Sequence, residues 1–308
     1  MSNGRALLAI IGGGNMARAI ILGAIDARLL SPTEIVVCEP DATKRRQFAS
    51  WGVQTTADHG EACRLLAPAR IADPELTGHR AGHVLLAVKP QSLEEAASQL
   101  APHVCKTGRP ILSILAGTPI AKIRAALGDD ALPVVRIMPN TPARLRKSMT
   151  AIATADESSR RGAEDHSDSA APMQFAYDLF ASLGEVVKID ESLMDAFTAL
   201  AGSGPAYVFY LAEAMIAAAQ EVGFDRITAD RVVRQTIAGA AALLGESGGV
   251  ASSGVGRGLE TPESLRIAVT SKGGTTEAAV RELDAAGVNE AMVRAIVAGR
   301  DRAREMAQ

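Results

Sequence analysis

The sequence predicts an α/β protein, with a doubly wound, mostly parallel sheet over residues 1–189 and an all-α domain over residues 190–308. Three observations predict it. Short β-branched runs alternate with stretches of helical spacing in the first part, and a glycine cluster joins the first run to the first helical stretch. After Asp190 the strand signal gives way to Ala-rich helical segments, which puts the domain boundary near Ile189.

Taken in order, the expected strands are residues 7–11, 35–38, 84–88, 111–115, 134–138 and 149–154, with 186–189 closing the sheet. Each is short and almost continuously apolar, as strands covered by helices on both faces must be. A helix is expected over 17–27, directly after the glycines, and others over 193–201, 206–222, 229–244 and 276–286. Pro205 suits the first position of a helix, with Gly202 and Gly204 marking a break before it. Two stretches lack periodicity. Residues 155–171, rich in Ser, Asp and Arg, read as a solvated surface loop, and residues 246–258, rich in Gly and Ser, as a connector between helices.

Composition removes several classes of function. A formal charge of −3, with no dense Lys/Arg run, does not suit a phosphate backbone, so no nucleic-acid partner is expected. Residues 7–11 are the only strongly apolar run near the amino terminus and are too short for a signal core or a membrane span; a cytoplasmic protein with no membrane partner is expected. Cys38, Cys63 and Cys105 are widely spaced and form no C-x-x-C pattern. They read as small hydrophobes in a reducing compartment, with neither a disulfide framework nor a metal site.

The first strand runs into Gly12-Gly13-Gly14-Asn15-Met16-Ala17, which fits the G-x-G-x-x-A fingerprint of a Rossmann-type dinucleotide site. Gly12 allows the tight turn, Gly14 lets backbone approach a pyrophosphate, and Ala17 lets the helix pack close to the strand. The pyrophosphate would rest on a helix N-terminus, where unpaired N–H groups and the dipole favour an anion. Glu39, at the end of the second strand, is placed to accept hydrogen bonds from both ribose hydroxyls. That arrangement suits NAD(H), whereas Lys44, Arg45 and Arg46 just beyond it are within reach of a 2′-phosphate or form a solvated helix face.

Four further strings stand out: Ala87-Val88-Lys89-Pro90-Gln91, Arg136-Ile137-Met138-Pro139-Asn140-Thr141-Pro142, Ala201-Gly202-Ser203-Gly204-Pro205-Ala206-Tyr207 and Ser271-Lys272-Gly273-Gly274-Thr275-Thr276. Together, in this order and across almost the whole chain, they resemble the pyrroline-5-carboxylate reductase family. The resemblance implies hydride transfer from NADP(H) to the C=N bond of 1-pyrroline-5-carboxylate, giving proline. It also implies that Ala87, Val88, Lys89 and Pro90 line the coenzyme, that Ala116 and Gly117 lie near the nicotinamide, and that the Thr276 hydroxyl bonds the imine nitrogen. Four positions depart from the family pattern: His59 stands where Asn is familiar, Arg146 and Ser148 where glycines tend to occur, and Lys272 where Pro is common.

The residues of the last string carry a reading of their own. The substrate is a ring imine with a carboxylate, so its site must hold an anion. Ser271-Lys272-Gly273-Gly274 leads into a helix, and its backbone N–H groups can form an anion-binding nest. Ser271 and the amides of Gly274 and Thr275 are the expected carboxylate donors. The plainer reading of the same residues is a glycine turn with a capping Thr.

The helix over 206–219, apolar around much of its circumference, asks for burial beyond one copy of the chain, so a homodimer is expected. The resemblance adds that dimers assemble into larger rings. Two rival functions use the same fold: a non-catalytic dinucleotide sensor, and a hydroxy-acid dehydrogenase. The second would need a catalytic Lys or His in the helical domain, where residues 190–308 hold no His and one Lys, Lys272.

Overall fold

The computed structural model describes residues 5–68, 81–155, 167–247 and 261–307. Their contacts divide the chain into two compact units, Met1–Pro205 with Val297–Gln308, and Ala206–Ile296. The first unit is built on one eight-stranded sheet: β1 (Leu8–Ile11), β2 (Ile35–Cys38), β3 (Gln54–Thr56), β4 (His83–Leu86), β5 (Ile111–Ser113), β6 (Val134–Met138), β7 (Ser148–Thr154) and β8 (Gly184–Lys188). The strand order is β3-β2-β1-β4-β5-β6-β7-β8, parallel throughout except that β6 and β7 pair antiparallel. β3 is absent from the expected strands because Gln54-Thr55-Thr56 carries no apolar run; its neighbour β2 decides its conformation.

Helices cover both faces, as the parallel pairing requires. They are α1 (Asn15–Asp26), α2 (Ala42–Ala49), α3 (His59–Leu65), α4 (Leu93–Val104), α5 (Ile120–Leu127) and α6 (Ser167–Ala181). The strands alternate between two cores. Leu8 and Ile10 of β1 face a cluster with Ile20 and Ile21 of α1, Phe48 of α2, and Phe175 and Phe180 of α6, whereas Ala9 and Ile11 face one built by α3, α4 and α5. Burial pushes the thiols of Cys38 and Cys63 up to about 11.

Asp41 and Asp58 cap α2 and α3 by accepting backbone N–H bonds in the first turns, so two helix starts in this region are set by local chemistry. One expectation is corrected here. The surface loop expected over 155–171 ends early, because α6 begins at Ser167; residues 156–166 lie outside the described residues. A Ser-Asp-Ser run is polar enough for a loop, yet it is also ordinary composition for a helix start, and the buried Phe175, Leu179 and Phe180 anchor the helix that follows.

After β8 come α7 (Met194–Phe197), one π turn (Thr198–Gly202) and α8 (Gly204–Glu221), which carries the chain into the second unit. That unit continues with α9 (Arg226–Ser247), α10 (Pro262–Ala268), α11 (Thr275–Ala285) and the first part of α12 (Val288–Ala307). Of the connector expected over 246–258, Glu246 and Ser247 end α9, and residues 248–260 lie outside the described residues. No helix among the described residues is long and apolar enough to cross a membrane.

Candidate active site: a dinucleotide cradle and a glycine turn

The sheet changes its winding direction between β1 and β4, and at such a switch point the carboxyl ends of the strands open a crevice for a ligand. Gly12 to Met16, Glu39, Ala87 to Pro90 and Ala116 to Gly117 follow β1, β2, β4 and β5, so adjacent parallel strands bring all of them to one rim. Backbone bonds stitch that rim together: Gly12 N–H to Cys38 O at 2.9 Å, Ala87 N–H to Ile11 O at 2.8 Å, and Ile114 N–H to Leu86 O at 3.1 Å.

Two glycines in the fingerprint have opposite surroundings. Gly12 has φ +104°, and a Cβ there would stand 2.7 Å from the carbonyl oxygen of Ala87, so a side chain is barred twice over. A Cβ on Gly14, the N-cap of α1, would meet nothing within 4 Å. Tight packing below and open space above is the shape a pyrophosphate needs if backbone N–H groups are to reach it, and α1 carries no acidic residue in its first turn to oppose the anion. The residues present therefore fit a dinucleotide.

Glu39 is 6% exposed, and both its oxygens accept backbone N–H bonds, Oε2 from Gly13 at 2.7 Å and Oε1 from Asp41 at 3.0 Å. It ties the glycine loop to the end of β2. A carboxylate has lone pairs to spare for ribose hydroxyls beyond these two bonds. Lys44 Nζ lies 3.6 Å from the same carboxylate and is about half exposed, while Arg45 donates to the carbonyls of Glu39 and Pro40 at 2.7 and 2.6 Å. Of the three cations near a possible 2′-phosphate, Lys44 is the one beside the acid. Lys89 and Pro90 are exposed and open a short 3-10 turn, and Gly117, at φ +64°, packs near Ala303 and Met306 of α12. His59 opens α3, partly buried, and burial pulls its pKa below the ordinary value against a hydrogen bond with Gln99.

The second unit holds the glycine turn. Gly273 has φ +74°, Gly274 is the N-cap of α11, and a Cβ on Gly274 would run into Ser271 Oγ. Ser271 and Thr275 are exposed, and Thr276 is partly buried in the first turn of α11. Two of the turn's amides already have acceptors: Gly274 N–H closes onto Ser271 O at 3.0 Å, and Gly273 N–H reaches the Glu277 carboxylate at 2.7 Å. The amide of Gly274, expected as a carboxylate donor, is therefore engaged by the turn itself. Glu277 acts as a capping-box acid would, reaching back over the helix start.

Sequence reasoning quoted Arg136 and Asn140 without giving either a role. Arg136, buried in β6, donates to Glu191 at 3.3 Å and to Asp195 at 3.2 Å, and Glu191 also accepts the N–H of Ile120 at the start of α5, at 2.8 Å. Asn140 links β7 to the π turn: its Oδ1 accepts from Met149 N–H at 3.1 Å and Ser148 Oγ at 3.2 Å, and its Nδ2 donates to Ala201 O at 3.0 Å. The signal was available, since an Arg in an otherwise apolar strand demands acidic partners elsewhere.

Residues 191–306 match the family model for pyrroline-5-carboxylate reductase dimerisation, and residues 7–117 match one described as NADP oxidoreductase, coenzyme F420-dependent. Pyrroline-5-carboxylate reductases of Synechocystis and Haemophilus influenzae are 34% and 36% identical to the chain, each alignment covering 97% of both sequences. The solved structure of a pyrroline-5-carboxylate reductase from Coxiella burnetii, at 30% identity, superimposes with a TM-score of 0.79 over 98% of this chain and 99% of that one. The fold extends to the Plasmodium falciparum pyrroline carboxylate reductase with NADP bound, at 21% identity and a TM-score of 0.75. With a dinucleotide cradle at the switch point, a glycine turn opening α11 and relatives matched from end to end, this chain belongs to the pyrroline-5-carboxylate reductase family.

Proposed function

We propose that the chain reduces 1-pyrroline-5-carboxylate to L-proline with NADP(H), and that NAD(H) also serves, since Glu39 can accept from an unphosphorylated ribose. The observation that carries this reading is the contrast between Gly12, pressed on Ala87, and Gly14, facing open space, in a chain related to such reductases over its whole length. Residues 1–189 are the dinucleotide-binding domain and residues 190–308 the substrate-binding and dimerisation domain. Gly12, Gly14, Asn15 and Met16 receive the pyrophosphate, Glu39 the ribose, Ala87, Val88, Lys89 and Pro90 line the coenzyme, and Ala116 and Gly117 face the nicotinamide. Held there, the coenzyme would supply the hydride for the imine carbon.

The chain's own residues bind and orient. Ser271 Oγ and the Thr275 amide hold the substrate carboxylate over the turn that Gly273 and Gly274 shape. The Thr276 hydroxyl bonds the imine nitrogen. A threonine hydroxyl is a poor acid at neutral pH, so Thr276 orients the nitrogen and relays a proton from water. The active protein is a cytoplasmic homodimer, assembling further into a ring.

The test is consumption of NADPH and of NADH with this imine, comparing the native enzyme with Thr276→Ala. Loss of a hydrogen bond that strengthens as charge shifts at nitrogen costs about 2–4 kcal/mol, a fall in kcat of roughly thirtyfold to a thousandfold. Coenzyme affinity by fluorescence titration should stay within about twofold. A native enzyme that does not turn over the imine overturns the reading, and a Thr276→Ala variant with normal kcat overturns the role of Thr276.

A further inference from the structure

β6 carries a row of side chains on one face that ends in an unusual turn. Arg136, Met138 and Asn140 alternate along the strand and just past it, opposite to Val135 and Ile137, which face the core under α1 and α6. All three meet one segment of chain. Arg136 holds Glu191 and Asp195, Met138 packs in a small cluster with Met194 and Phe197, and Asn140 donates to Ala201 O. The same segment contains the π turn Thr198–Gly202, closed by Ser203 N–H on Thr198 O at 2.9 Å. A Cβ on Gly202 would stand 2.8 Å from Met138 Cε, the free end of a flexible side chain, so the turn lies directly against Met138.

π turns are rare, because widening a helix by one residue weakens its backbone bonds, and they persist where outside contacts hold them. Here the contacts come from β6. β5 and β6 are parallel neighbours, with Ser113 beside Arg136 in register, so the turn carrying Ala116 and Gly117 leaves the sheet next to Pro139 and Asn140. The clamped π turn is thus tied to the end of the strand that adjoins the residues proposed to face the nicotinamide.

We infer that Asn140 is a positioning residue of the reaction, holding the π turn Thr198–Gly202 at the rim beside Ala116 and Gly117 through its bond to Ala201 O. The inference rests on the function proposed above for the meaning of that rim. It explains why Arg136-Ile137-Met138-Pro139-Asn140 and Ala201-Gly202-Ser203 occur as two strings in one chain: they are the two sides of one contact. Asn is suited to the place because one end of its amide must accept, from Met149 and Ser148, while the other donates. Asp at this position keeps the acceptors but replaces the donor with a carboxylate oxygen that repels Ala201 O, in a site where Asn140 is 9% exposed.

Asn140→Asp therefore breaks the link to the turn. The expected result is a fall in kcat of at least about tenfold, with the KM for the imine and the affinity for NADPH each within about threefold of native. Amide hydrogen exchange across residues 198–205 should quicken by a similar factor while β6 and β7 keep their protection. Gly202→Ala meets only the flexible end of Met138 and leaves Asn140 in place, so both effects should be much smaller than in Asn140→Asp. If exchange over 198–205 is unchanged in Asn140→Asp, or if it quickens while kcat stays native, the inference is overturned. A native enzyme inactive on the imine would defeat the proposed function instead, and the exchange measurement would still decide whether Asn140 holds the turn.

Discussion

In the first unit β1 is buried along its whole length and Phe48, Phe175 and Phe180 are enclosed, whereas in Ala206–Ile296 the buried apolar residues among those described are Ala229 and Val233. There Phe209, Tyr210 and Ile227 stand 63%, 76% and 83% exposed. The first unit closes its cores with its own helices on both faces of a sheet. The second is a set of amphipathic and all-round apolar helices whose faces stay exposed among the described residues, far beyond the scattered exposed apolar residues any surface carries. The difference teaches that one unit is finished by folding and the other by association, in keeping with the dimerisation model that falls on residues 191–306 and makes the protein a homo-oligomer.

The strongest way to break this contrast is to make association impossible. Phe209→Asp puts a charge on the exposed apolar face of α8, and an unpaired charge buried at an interface costs about 3–5 kcal/mol. Light scattering should show a monomer, and hydrogen exchange should rise across 206–296 while the first unit keeps its protection and still binds NADPH. A monomer whose helical unit stays fully protected would sink the comparison.

A second test separates what each unit binds. Ser271→Ala should raise the KM for the imine by about tenfold, with kcat and coenzyme affinity near native, because a carboxylate contact is made equally in ground and transition states. A shift in coenzyme affinity instead would mean that Ser271 serves the other ligand. In the first unit, Glu39→Gln removes the charge that repels a 2′-phosphate and should raise the preference for NADPH over NADH by about tenfold, about 1.4 kcal/mol. Lys44→Ala should move it the other way by a similar or smaller factor. Dissociation constants for both coenzymes check this, and no change in either variant would remove the Glu39–Lys44 pair from coenzyme choice.

The smallest effect concerns strain in the finished unit. Arg146 has φ +55° and pairs with Asp26 at the surface. A left-handed conformation costs a non-glycine residue about 1–2 kcal/mol, and an exposed ion pair returns about 1 kcal/mol or less. Arg146→Gly should therefore raise stability by up to about 1 kcal/mol in urea unfolding. A loss of that size would mean that the Asp26 pair outweighs the backbone strain.

The first unit was legible in the residues wherever chemistry is local. Apolar runs marked seven of the eight strands, most of them buried on both faces and so with no polar side to confuse the pattern, although the edge strand β8 is only partly buried. The glycine fingerprint marked the cradle, because a backbone that must turn tightly beside Ala87 admits no Cβ. Less legible were β3 and the start of α6, where polar residues take their conformation from a neighbouring strand and from buried aromatics further on.

By itself the sequence determined the parallel α/β unit, its glycine fingerprint, the helical texture after Asp190 and the family, since these rest on periodicity, on glycines and on strings of adjacent residues. Only the tertiary structure decided that Glu39 ties down the glycine loop, that Gly274 N–H is engaged by its own turn, that Arg136 pairs with Glu191 and Asp195, and that Asn140 holds the π turn after them. Each of these joins groups distant in sequence or chooses among competing acceptors for one N–H. For Glu39, Arg136 and Asn140 the physical reason is the same: the bond is set by the geometry of packed elements, which exists only once the sheet has brought the strand ends together, whereas Gly274 N–H is taken by the closure of its own turn onto Ser271 O.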